Sequence, residues 1–324
     1  MRRNGKPEMN SNQASLCIIC CLAKELTEEH IVPEFLGGGL LFRRVCRDCN
    51  SKMGSGFEGR ISNNIAYKSF RFSNNIHGKS AAPFPFEGGH KDTISGTKFQ
   101  ILKDGSLKSH PHCEIDEDEK GLRIEIKVDA GDKGNIPSIV EKKLIRHFKK
   151  IGKSIEQKKL STHVAEVIAS HGLKEEKLTN PKFEVSGFFD LNDVDLLHIK
   201  VAYELAGHHF GDIYFEDAIA NELRLCLFNQ KIPPQVNIET PASMDVLENI
   251  IDNQHHWVMF WSSFCYVKIC GFSSVIEFSS KEFGRQVPKG ILYEFCYLTQ
   301  SYKVHDLANY IMNELMRKRH GGRV

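Results

Sequence analysis

The stretch Cys17–Asn50, CIICCLAKELTEEHIVPEFLGGGLLFRRVCRDCN, has a cysteine pair at each end and Glu29-His30 between them. Cys17-x2-Cys20 and Cys46-x2-Cys49 are 25 residues apart, a spacing like that of two zinc knuckles sharing one tetrahedral ion, with a longer gap than usual. Four thiolates suit zinc, a borderline-soft ion without a redox step. Cys17 with Cys21 is the less usual pairing, so Cys20 is assigned to the ion and Cys21 is expected to be a buried thiol. A closed four-cysteine ion supplies no chemistry, so any reaction needs other residues.

Those residues lie in the intervening loop. EEHIVPEFLGGG places Glu29-His30 on a short extended segment, stopped by Pro33 and the Gly37–Gly39 turn. After the second knuckle, Met53, Phe57 and Ile61 recur every four residues, the apolar side of a helix. The expectation is a hairpin followed by a helix, with a carboxylate and an imidazole on the first strand.

The run Glu29-His30-Ile31-Val32-Pro33, the paired cysteines and Cys49-Asn50 leading into a helix resemble the HNH endonuclease family, in its zinc-bearing ββα-metal branch. The resemblance implies an α+β fold class: an N-terminal zinc-stabilised HNH domain, here followed by a mixed α/β region. It implies His30 as general base for attack of water on a phosphodiester, a task suited to imidazole, which titrates near neutral pH. It implies Glu29 as an acidic metal ligand, and Asn50, twenty residues after His30, as the middle residue of the motif. The last family position, often a histidine, falls at Glu58 or Gly59, and only Glu58 carries a ligand atom.

A regular helix from Asn50 would put Asn50 and Glu58 about 12 Å apart along its axis, too far to share one ion. Glu29 and Glu58 are therefore the expected ligands of a catalytic ion and Asn50 a brace. Two carboxylates favour Mg2+ or Mn2+ there, beside the structural Zn2+. Arg43, Arg44, Arg47, Lys52 and Arg60 are near enough in sequence to hold a DNA backbone.

The rest of the chain sets limits. With 324 residues it exceeds the usual single domain, and 41% hydrophobic with 26% charged residues is a globular composition. No apolar run approaches the roughly 18 residues that span a bilayer. The first residues show no long apolar stretch of a secretory signal, so a cytoplasmic protein is expected. Five of the 10 cysteines cluster between Cys17 and Cys49, which favours metal over a disulfide framework. The net charge of +2 does not itself establish nucleic-acid binding. Basic residues nevertheless crowd Lys142–Lys159, which reads as a phosphate-facing stripe or as a solvated helix face.

Four segments are expected: a disordered 1–14, the HNH domain at 15–75, hairpins and a basic helix at 76–179, and an α+β domain at 180–324. Lys91–Asp129 alternates with Asp104-Gly105 as a turn, and Pro137 opens the basic helix. KFEVSGFFDL reads as a strand, and DVDLLHIKVAYELAGHHFG as a helix that Asn192 precedes and Gly211 ends. Further helices are expected at 213–228 and 304–317, with strands in HHWVMFW, SFCYVKICGF, SVIEFSS and ILYEFCYLT. The function so implied is a metal-dependent DNA endonuclease, read as serving defence against foreign DNA. The C-terminal domain is left for recognition, regulation or oligomerisation. The alternative is a zinc-knuckle module that binds nucleic acid without cutting it.

Overall fold

The computed structural model describes residues 16–79, 81–82, 84–118, 121–152, 166, 170, 181–185, 189–239, 251–252, 254–287 and 290–321. The expected disordered segment 1–14 lies outside them, as do Lys153, Lys158 and Lys159 of the basic stripe. The chain divides into two compact units, residues 1–83 with 187–324, and residues 84–186.

The first unit opens with strand β1 (Leu26–His30) paired antiparallel to β2 (Leu41–Cys46), with His30 opposite Leu41 and a bulge between Thr27 and Glu29. Helix α1 (Arg47–Ser55) follows directly. The helix expected to run on is broken at Gly56 (φ −88°, ψ −120°), and α2 (Phe57–Asn63) and α3 (Ile65–Ser73) succeed it. Gly54, Gly56 and Gly59 explain the break, since each glycine costs a helix interior about 1 kcal/mol. Met53, Phe57 and Ile61 are nonetheless all buried.

The Gly37–Gly39 turn is fixed by packing. Gly37 has φ +83°, and a Cβ on Gly39 would sit 1.7 Å from the backbone oxygen of Gln300. Gly54, by contrast, has open space around it inside α1. Gly39→Ala should therefore lower the urea midpoint by the equivalent of about 1–3 kcal/mol or more, while Gly54→Ala should raise it by up to about 1 kcal/mol. Equal midpoints for the two variants would show that the turn does not pack this way.

The second unit holds β3 (Gly88–Lys91), β4 (Lys98–Ile101) and β5 (Leu107–Ser109) as one antiparallel sheet, and β6 (His112–Asp118) with β7 (Gly121–Lys127) as a ribbon. Gly105 takes φ +81° in the expected turn between β4 and β5. Helix α4 (Ile136–Lys150), with Pro137 in its first turn, buries Ile136, Val140, Leu144 and Phe148 against Cys113. The segment read as a strand, KFEVSGFFDL, has no regular structure over 182–185. Phe183 instead packs its ring on Phe86, His90 and Phe99, and the Lys182 amide donates to Asp92, so the segment is held by side chains rather than by a ladder.

The first unit resumes with α5 (Leu191–Phe210), capped by Asp190 rather than Asn192 and ended at Gly211. The helix expected over 213–228 begins as a 3-10 turn and becomes α6 (Ala218–Asn229), where the Asp217 carboxylate caps two amides. Strands β8 (Ile238–Glu239), β9 (His256–Trp261), β10 (Phe264–Ile269), β11 (Phe272–Glu277), β12 (Ile291–Cys296) and β13 (Ser301–Asp306) form an antiparallel sheet in the order β13-β12-β9-β10-β11-β8. Val304 belongs to β13, and the last helix, α7, runs Leu307–Gly321.

Strand alternation gives the sheet two apolar faces. Val258, Phe260, Val267 and Ile269 join the core that contains α5, and Trp257, Met259, Tyr266 and Leu292 pack with Leu307 and Ile311 of α7. Helix α5 is buried nearly all round, packing on α2, α6, β10 and β11. The expected separation of an HNH domain from a domain starting at 180 therefore does not hold. The same core contains Val32, Phe57 and Ile61 from the first segment and Leu196, Leu205 and Val267 from the last.

Candidate active site and metal centre

The sulfurs of Cys17, Cys20, Cys46 and Cys49 lie within 4.8 Å of one another, with Cys20 and Cys46 3.8 Å apart. A tetrahedral zinc with bonds of about 2.3 Å spaces its sulfurs by about 3.8 Å, so the set fits the ion. The Cys46 amide donates to Cys17 Sγ at 3.3 Å, the contact expected of a thiolate acceptor. Burial pushes the Cys49 thiol up, with Cys46, Cys17 and Cys20 adding to it. Cys21 is exposed, not buried as expected. It takes φ +56° where the chain reverses, its amide donating to Cys17 O and the Cys17 amide to Leu22 O. Purified protein should carry about one zinc per chain, lost in Cys46→Ser and kept in Cys21→Ala, and its removal should withdraw apparent binding energy on the order of 10–16 kcal/mol. Metal analysis with and without chelator checks this.

On the hairpin, His30 Nδ1 lies 2.9 Å from the backbone oxygen of Gly38. Donation there fixes the proton on Nδ1 and leaves the Nε2 lone pair as the acceptor. Asn50 Nδ2 donates to Thr27 Oγ1 and to Glu28 O at 3.3 Å each, which ties α1 to the first strand.

Glu29 and Glu58 converge because α2 begins afresh after Gly56 and turns Glu58 inward beside Phe57. What they converge on is Lys200 of α5. Its Nζ lies 2.7 Å from Glu29 Oε1, 3.1 Å from Glu58 Oε1 and 3.5 Å from Glu204 Oε2. It also donates to the backbone oxygens of His30 at 2.6 Å and Ile31 at 3.3 Å. Lys200 and Glu204 have no side-chain exposure, whereas Glu29 retains 7% and Glu58 11%. Burial opposes the charge on Lys200, but Glu204, Glu29 and Glu58 together outweigh it and hold the lysine above its ordinary value. Burial lifts the Glu58 carboxyl above its ordinary value and that of Glu204 far above, against the pull of Lys200.

This arrangement bears on the divalent ion that the family resemblance implies. Magnesium takes oxygens at about 2.1 Å in a near-ideal octahedron, so an ion between Glu29 and Glu58 would fall within contact of Nζ. Ion and ammonium exclude each other there, and the ion does not fit the site as it stands. Among the described residues, the only group of three or more ligand side chains in mutual reach is the four cysteines.

The expected DNA contacts are largely engaged elsewhere. Arg44 pairs with Asp212 at 2.6 Å and lies over the Phe215 ring, Arg60 makes a two-pronged contact with Asp193 at 2.7 and 2.8 Å, and Lys52 donates to Phe228 O. Arg43 pairs with the exposed Glu28 at 3.2 Å, and Arg47 is exposed beside Asp48. Arg43 and Arg47 are therefore the better placed of the five. On α4, Lys143, Arg146 and Lys150 line a cleft together with Glu114, Asp116 and Glu125, a mixed surface rather than a purely basic one.

Sequence reasoning missed Lys200 and Glu204. Their signal was the i,i+4 spacing of a lysine and a glutamate inside an otherwise apolar helix, where charges persist only when paired.

Residues 17–66 match a family model described as HNH endonuclease. No curated protein and no solved structure matches the chain. The match, the four-cysteine cluster inside it and the β1-β2-α1 order together identify the first segment of this chain as an HNH endonuclease domain, joined to a sheet-rich C-terminal region.

Proposed function

We propose that the chain is an endonuclease that hydrolyses phosphodiester bonds in DNA, with His30 as general base. The observation that supports this best is the His30 Nδ1 contact with Gly38 O, which leaves Nε2 to take a proton. Nε2 accepts the proton of a water whose oxygen bonds to phosphorus, and the P–O bond to the leaving ester oxygen breaks. Asn50 holds the strand that carries the imidazole. Arg43 and Arg47 engage the backbone phosphates. Zinc is the structural ion of the four cysteines. Glu29 and Glu58 would hold Mg2+ or Mn2+ only with Lys200 displaced, so no step is routed through that ion here.

Supercoiled plasmid incubated with the purified protein across divalent metals should yield nicked circles, with linear duplex, single-stranded DNA and RNA run alongside to identify the substrate. A second reading, a zinc-knuckle module that binds nucleic acid without cutting it, is favoured by the Lys200 contact, which closes the expected metal seat. Retention of DNA in a gel-shift with intact plasmid under every condition would select it. A role in defence against foreign DNA rests on one nuclease domain joined to a long region without assigned chemistry. Equal plaque counts with and without expression would remove it.

A further inference from the structure

The five oxygens around Lys200 Nζ form a cation's shell, two from backbone and three from carboxylates that reach in from β1, α2 and α5. The lysine lies at the closed end of this cluster, and Glu29 and Glu58 retain the little exposure it has. Glu58 Oε1 and both Glu204 oxygens are buried without a well-aligned hydrogen bond, so attraction to the ammonium is what holds them in place.

We propose that Lys200 is the resident cation of the Glu29–Glu58 site, and that a divalent ion enters only when this side chain leaves the two carboxylates. The inference deepens the nuclease reading and rests on it for its meaning, but not for its test. Lys200 belongs to α5, which also packs on β10 and β11. Metal entry into the N-terminal site is thereby tied to the position of a helix seated on the C-terminal sheet.

The test is Mn2+ binding to the full-length, zinc-loaded protein without nucleic acid, read by electron paramagnetic resonance and calorimetry. The wild type should show no Glu29-dependent Mn2+ site up to about 1 mM. Lys200→Met should gain one, tighter by about tenfold or more, because a unit positive charge at contact distance from the ligands has gone. Glu29→Gln in that background should abolish it. Lys200→Met/Glu204→Gln, which replaces the fully buried carboxyl by a neutral amide, serves if the single variant does not fold. Stoichiometric Mn2+ binding by the wild type that Glu29→Gln removes would overturn the proposal, whatever the variants do. So would unchanged or weaker binding in a folded Lys200→Met. Plasmid nicking is scored separately, so an inactive protein that shows the expected Mn2+ pattern refutes the nuclease reading and leaves this inference standing.

Discussion

Replacing His30 by alanine should lower plasmid nicking by about 10²–10⁴-fold, the range of a positioned general base. The variant should keep its zinc and its fold. The half-buried ring's direct hydrogen bond is to Gly38 O, and losing such a bond costs about 1 kcal/mol. Asn50→Ala should reduce the rate less, since Asn50 acts on the strand through Thr27 and Glu28 and not on the water. Nicking by His30→Ala at the wild-type rate, with normal zinc content, would remove the imidazole from the mechanism.

The second large effect concerns stability. Lys200→Met leaves Glu29, Glu58 and Glu204 facing a methyl group, and removing one partner of a buried ion cluster costs about 3–5 kcal/mol. That is a large share of the roughly 5–15 kcal/mol that holds a domain folded. The deficit should depend on pH. Burial already raises the Glu58 and Glu204 carboxyls, and losing the ammonium that pulls them down raises both further. A carboxyl raised in the folded state binds protons there that it has released when unfolded. Stability therefore falls as pH rises through the folded value, and is fully kept below the unfolded value of about 4.3. Urea unfolding at pH 5 and pH 8 should show a smaller deficit for Lys200→Met at the lower pH. Equal deficits would mean that these carboxyls do not titrate with folding.

The sequence disclosed the four-cysteine cluster and the hairpin because both depend on local spacing. Cysteine pairs two residues apart, Glu29-His30 before Pro33, and a triple glycine carry their geometry with them. The strands of the C-terminal sheet were legible from β-branched and aromatic runs such as His256–Trp261, and α5 from its apolar pattern. The break at Gly56 was missed because Met53, Phe57 and Ile61 keep their four-residue rhythm across it. Lys200 was missed for a different reason. Nothing near residue 30 announces that a lysine 170 positions later will end beside it, and a lysine on a helix is ordinarily a solvent-facing residue. The basic residues read as DNA contacts are mostly tied to partners, Asp193 and Asp212 among them, that also come more than 100 positions downstream.

The Gly37–Gly39 turn lies flush against the backbone at Tyr297 and Gln300, so a segment some 260 residues downstream closes over the turn. A ribosome that has released residues 17–66 has released the four clustered cysteines, His30 and Asn50, but neither the hairpin that seats the turn nor the helix that supplies Lys200. Such distant contacts form late, after a long loop has closed. A chain cut before residue 300 would keep the four cysteines and His30 and lack the surface against which the turn carrying Gly38, the hydrogen-bond partner of His30, is seated.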